Sequence, residues 1–183
     1  MRKVILAEFL TLDGFIEGPA GEMDWDMEVF DDDMERYADE QITGVDTLLL
    51  GRRTYEIFAG AWPKETGEFA DKMNGMEKVV FSRTLKKLDW NNARLAGDDA
   101  AEEIARLKAR PGGNMLIYGS ARFAQSLMRQ DLIDEYRLWV HPVVLGQGKP
   151  LFADVKERIK LTLVDTRLFD TGVCVLRYKA AGR

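Results

Sequence analysis

Cysteine and histidine are almost missing: the 183 residues hold one of each, Cys174 and His141. No internal disulfide can form, and no cysteine–histidine zinc site can be assembled. Serine occurs only at Ser82, Ser120 and Ser126, with no G-x-S-x-G turn, which argues against a Ser-His-acid hydrolase. No apolar run approaches the roughly 18 residues of a membrane span. The apolar start, residues 3–10, is broken by Glu8 and followed by no small-residue cleavage site. It reads as a first strand and not as a signal peptide, and the chain as a cytoplasmic protein without a membrane partner. Positive charge is also in deficit, 26 Lys and Arg against 31 Asp and Glu, for a net charge of −5. A nucleic-acid partner needs a basic face, and this balance does not supply one.

The length suffices for one core, and 46% hydrophobic with 31% charged residues is ordinary for a globular protein. Strand and helix periodicities alternate along the chain. Strands are expected over 3–10, 46–51, 77–82, 93–97, 114–119 and 135–146. Helices are expected over 27–43, where Phe30, Met34, Tyr37, Ala38 and Ile42 share one face, then after Arg52, from a cap at Asp98 to Ala109, and after Ser120. Asp170-Thr171-Gly172 joins the last two apolar runs as a hairpin. No repeat or linker interrupts the pattern, so residues 1–183 are expected to form a single domain. It would be an α/β/α sandwich, its sheet mostly parallel, with an antiparallel C-terminal hairpin. Cys174 falls in an alternating strand and reads as a structural thiol. His141 ends a strand before Pro142, where packing, hydrogen bonding or chemistry all stay open. Gly146-Gln147-Gly148 reads as a tight turn, since Lys149-Pro150 blocks a following helix.

Three strand ends share one form: Gly51-Arg52-Arg53-Thr54, Ser82-Arg83-Thr84-Leu85 and Gly119-Ser120-Ala121-Arg122. Ligands of open α/β sheets gather at the carboxyl ends of the strands. Helix-start amides suit a diphosphate, and forked guanidinium donors suit a phosphate monoester. Two separated phosphate sites are what a dinucleotide with an extra 2′-phosphate requires. The alternative is that the glycines only make turns and the arginines are solvated. No G-x-G-x-x-G follows the first strand, so any dinucleotide would lie on a scaffold other than the Rossmann fold.

FLTLDGFIEGP, LLLGRRTYE, VVFSRTL and the stretch from Met115 to Phe152, taken in order with the C-terminal strand pair, resemble the dihydrofolate reductase-like superfamily. More narrowly, they look like single-domain relatives of the reductase half of the bifunctional deaminase–reductase of riboflavin biosynthesis. The resemblance implies a sheet of eight or more strands that binds NADPH. It implies that Gly51, Arg52, Arg53 and Thr54 meet cofactor phosphates, that Ser82 and Arg83 hold the 2′-phosphate, and that Gly119, Ser120, Ala121 and Arg122 cradle the diphosphate. Leu12, Asp13 and Gly14 belong to the loop that covers the nicotinamide. Ser120 replaces the second glycine that folate reductases carry at a cis peptide, which leaves that bond undetermined. Folate reductases have one acid in the first helix, whereas Asp24, Asp26, Glu28, Asp31, Asp32 and Asp33 crowd that region here, which argues against dihydrofolate as substrate.

The expected function is an NADPH-dependent reductase of a small pterin- or pyrimidine-like heterocycle. Asp13 and then Asp24 are the candidates for directing the proton. Trp25, with Leu12 and Gly14, is the candidate substrate wall, while Trp62 is expected to pack in the core or a loop. Alternatives are a non-catalytic NADPH-binding module and reduction of the phosphoribosylaminouracil of the riboflavin pathway. The apolar strand before Gly146 and the C-terminal hairpin could serve a homodimer.

Overall fold

In the computed structural model, which describes residues 1–153, 155 and 157–181, the chain begins with β1 (Val4–Thr11), β2 (Phe15–Glu17), α1 (Asp24–Met27) and α2 (Asp32–Ile42). Asp154, Lys156, Gly182 and Arg183, the last two ending the expected domain, lie outside the described residues. Next come β3 (Val45–Gly51), α3 (Arg52–Ala61), a 3-10 turn (Trp62–Lys64), α4 (Glu68–Gly75), β4 (Glu77–Phe81) and β5 (Ala93–Leu95). The remainder is α5 (Ala100–Ala109), β6 (Asn114–Tyr118), α6 (Ala121–Met128), β7 (Glu135–His141), β8 (Lys149–Pro150), β9 (Leu161–Leu168) and β10 (Cys174–Ala180).

Residues of β1 are apolar on both faces because both faces are covered. Val4, Leu6 and Leu10 join one core cluster with Ile104 and Leu107 of α5 and Phe123, Ala124 and Leu127 of α6. Ile5 and Ala7 join the opposite cluster with Ile42 of α2, Tyr55 of α3 and Met73 of α4. Helices therefore lie on both sides of the sheet, as the alternating periodicity implied. The eight-stranded sheet has the order β5-β4-β3-β6-β1-β7-β10-β9. It is parallel from β5 to β7 and antiparallel through β10 and β9. The carboxyl ends of β1, β3, β4, β6 and β7 consequently line one edge.

Several expected boundaries move, each for a local reason. The 27–43 helix starts late: Asp31 is extended and its carboxylate accepts the amides of Asp33 and Met34, so α2 starts at Asp32 and Phe30 precedes it. The cap of α5 is Asp99, not Asp98; its carboxylate takes the Glu102 amide at 3.0 Å. The strand over 135–146 stops at His141, because Pro142 has no N–H and Val143 turns back to donate to the His141 carbonyl. Beyond that turn, Lys149-Pro150 forms β8, which pairs antiparallel with β2 from the loop after β1. Gly148 stands at φ +153°, and a Cβ there would lie 2.4 Å from the Glu17 carbonyl oxygen, so the two short strands meet only through glycine.

Candidate functional site

β3 runs directly into α3, and β6 reaches α6 through Gly119 and Ser120 alone. The two junctions touch: a Cβ on Gly51 would fall 2.4 Å from Ser120 Oγ and 3.2 Å from Phe123 Cβ, and one on Gly119 would fall 3.3 Å from Thr54 Oγ1. Gly119 and Ser120 both have positive φ, +68° and +74°. For a serine this is an uncommon and strained conformation, of the sort that collects at ligand sites. No cis peptide occurs among the described residues.

Both helices begin without a side-chain cap, at Gly51 and at Ser120. The contrast with α2 and α5, each closed by an aspartate, is sharp. An uncapped helix start leaves amide donors free and carries the positive end of the macrodipole. Between these starts and the end of β4 lies a cavity of about 380 Å³ lined by Gly51, Arg52, Ser82, Arg83, Ser120 and Arg122, and by Asp98. Arg83 and Arg122 have no carboxylate partner among the described residues. Arg52 is held loosely, 3.8 Å from Glu56 and 3.3 Å from Thr84 Oγ1. Ser82 Oγ accepts the amides of Thr84 and Leu85 and so shapes the turn that presents Arg83. Uncapped amides, free guanidinium groups and a glycine-only approach fit a phosphate-rich ligand such as a dinucleotide.

The other residues predicted for this ligand sit around the cavity. Thr54 and Ala121 are buried behind it. Arg53 points away, to Glu17 Oε1 at 3.3 Å, where Lys149 Nζ also binds at 2.7 Å.

The loop residues occupy the neighbouring stretch of the same edge. Asp13 is clasped: Thr11 Oγ1 donates to it at 2.6 Å, and the amides of Gly146 and Leu145 at 2.7 and 3.3 Å. The Thr11 hydroxyl in particular holds its carboxyl below the usual aspartate range. Leu12 is exposed and Gly14 has φ +86°. Asp24 is exposed on α1, while its neighbour Asp26 is buried, and that burial raises its carboxyl. Trp25 is buried with its ring 5.0 Å from that of His141, edge to face, and neither Trp25 Nε1 nor His141 Nε2 has a partner. Burial lowers the His141 pKa, so the ring is neutral; its Nδ1 lies 3.0 Å from the Trp139 carbonyl oxygen. Trp62, half-buried, packs against Phe58 and Phe69 at the margin of the core, the packing role expected of it.

Sequence reasoning missed Glu8. It is the one charged residue of β1, only 6% exposed, and its Oε1 has no hydrogen-bond partner. A lone acid in phase with the buried Leu6 and Leu10 was the available signal. No group of three or more potential metal ligands exists among the described residues.

Sheet order, parallel core and antiparallel C-terminal hairpin together define a dihydrofolate reductase-like α/β fold. Within that fold the chain belongs to the RibD C-terminal domain family, whose family model matches residues 2–175. The uncharacterized protein YyaP of Bacillus subtilis (strain 168) is 41% identical over 182 residues, covering 97% of this chain and 94% of that one. A solved structure from Shewanella sp. PV-4, assigned to riboflavin biosynthesis, has a TM-score of 0.81 at 23% identity and covers 97% of this chain and 98% of that one. Dihydrofolate reductase from Enterococcus faecalis, complexed with NADP(H), has a TM-score of 0.64 at 14% identity over 98% of this chain and 96% of its own.

Proposed function

We propose that the chain is an NADPH-dependent reductase of a small heterocycle. One observation carries the reading: two uncapped helix starts and Arg52, Arg83 and Arg122 converge on one cavity at the carboxyl edge of the sheet. Membership in a family named for a riboflavin-pathway protein, and the fold it shares with an NADP(H)-binding reductase, support it. Ser82 and Arg83 would hold the 2′-phosphate, Gly51 and Arg52 would meet the cofactor's other phosphates, and Gly119, Ser120, Ala121 and Arg122 would cradle the diphosphate; Thr54 packs behind them, and Arg53, turned to Glu17, takes no phosphate. Bound NADPH supplies a hydride; the protein's part is to orient two rings and exclude water. Leu12, Gly14 and Trp25 would wall the substrate ring. Asp13 serves as a clasp between the β1–β2 turn and the β7–β8 loop, since a carboxylate held ionised by three donors is a poor acid. Asp24, exposed and without such ties, stays a candidate for directing the proton.

Quenching of the four tryptophans in titrations with NADPH and NADH tests the cofactor assignment. Tight NADPH binding, with roughly 10- to 100-fold loss in Arg83→Ala from one charge-assisted contact, is expected. NADH binding should be weak and unchanged by that substitution. Equal affinity for both nucleotides would remove the 2′-phosphate site. A second reading, a nucleotide-binding module without turnover, is favoured by the clasped state of Asp13; NADPH oxidation with a supplied acceptor separates the two.

A further inference from the structure

Glu8 sits where a reductase of this build has use for a proton. Ala7 of β1 pairs with Tyr118 of β6, so Glu8 is level with Gly119, whose amide faces its carboxyl. The sheet order runs β4-β3-β6-β1-β7. A dinucleotide with its 2′-phosphate end at β4 and its diphosphate at the start of α6 reaches β1 with its nicotinamide end. On that reading of the cofactor, which this inference rests on, Glu8 is the buried acid nearest the reacting end.

We propose that Glu8 carries the proton that accompanies the hydride, holding it while the bound nicotinamide ring is neutral and releasing it when the ring is cationic. The charges balance. An acceptor C=N bond takes a hydride at carbon and a proton at nitrogen, becoming CH–NH. The nicotinamide ring goes from neutral to +1 and Glu8 from neutral to −1. Water then reprotonates Glu8.

The surroundings suit such a group. Burial pushes the Glu8 carboxyl up to about 8; the Gly119 amide and Lys149 ammonium pull it down, and Glu17 pushes it up. Tyr118, the other titratable group beside it, is itself raised by burial and stays neutral. Lys149 and Glu17 are bound to each other across β8 and β2 at 2.7 Å, and Glu17 also holds the exposed Arg53. This ion chain lies within electrostatic reach of the buried acid and runs out to the exposed Arg53. Oε1, without a partner, is the oxygen free to give its proton away.

Calorimetric titrations in two buffers of different ionisation enthalpy count protons without any turnover. With oxidised NADP⁺ at neutral pH, close to one proton should leave the wild-type protein; with NADPH, none. Glu8→Gln, isosteric with the protonated acid, should bind both and release none. NADP⁺ binding without proton release in the wild type, or equal release from Glu8→Gln, overturns the proposal and leaves the cofactor reading standing. Failure of both nucleotides to bind overturns the cofactor reading and the proposal with it. If Glu8→Gln does not fold, Lys149→Met decides: loss of the nearby cation should move the upper pH limit of release to higher pH, and an unmoved limit rejects Glu8.

Discussion

A buried acid affects stability as well as chemistry, and Glu8 shows this at the scale of one residue. Its carboxyl titrates at about 8 in the folded protein against 4.5 for an ordinary glutamate. Between these values the native state binds more protons than the unfolded chain, so stability falls as pH rises through that window. The contribution is full below 4.5 and gone above about 8. Glu8→Gln cannot ionise and lacks the slope. At about 1.4 kcal/mol per pKa unit the difference is on the order of a few kcal/mol. Urea unfolding of both proteins at about pH 5 and about pH 9 measures it. The wild type should lose ground to Glu8→Gln at the higher pH, and parallel behaviour would mean that Glu8 is ordinarily solvated. The sequence marks Glu8 only as a lone acid in a buried strand, because its pKa comes from its burial and from what β6, β2 and β8 place around it. Arg53 teaches the same lesson: its position beside Arg52 was legible, its turn toward Glu17 was not.

Among the elements, capping separates helices that close on themselves from helices left open. Asp99 accepts the Glu102 amide and Asp31 those of Asp33 and Met34, whereas α3 and α6 start bare. Asp99→Ala should therefore cost about 1 kcal/mol in chemical denaturation and leave nucleotide binding unchanged, since the phosphates are assigned to the open starts of α3 and α6, although Ala100 at the start of α5 also lines the cavity. Loss of binding in that variant would mean that the ligand rests on the start of α5 as well as on those of α3 and α6. Strands and helices with strong periodicity were readable to within a few residues. β8 was not, because two residues, one of them proline, have no period; only pairing with β2 makes them a strand. The shift from Asp98 to Asp99 has a similar source, since adjacent aspartates offer two caps and backbone geometry chooses one.

At the scale of the whole molecule, each phosphate-site candidate is a local strand-to-helix junction and so could be read from sequence. Their meeting is a product of the order β4-β3-β6, which sequence pattern does not encode. The sheet's far edge is exposed: β9 pairs only with β10, and Leu163, Val164 and Leu168 are 53%, 50% and 74% exposed. Long apolar edges invite pairing with another chain. A homodimer through β9 is the expected outcome in sedimentation, with a 20.8 kDa species on double substitution Val164→Lys and Leu168→Lys. An unsubstituted chain that sediments as a monomer would refute it. The cavity itself is built from the ends of three strands, so a ligand there ties together parts of the sheet distant in sequence. Binding to the native state alone stabilises it by about 2.7 kcal/mol at a hundredfold excess over Kd. That amounts to a rise of several degrees in Tm for a chain of this size. NADPH should produce it, NADH at the same concentration should produce far less, Arg83→Ala should abolish the difference, and Arg52→Ala should weaken the effect of both nucleotides. Stabilisation by NADPH that survives both substitutions would put the nucleotide somewhere other than the edge where β3, β4 and β6 end.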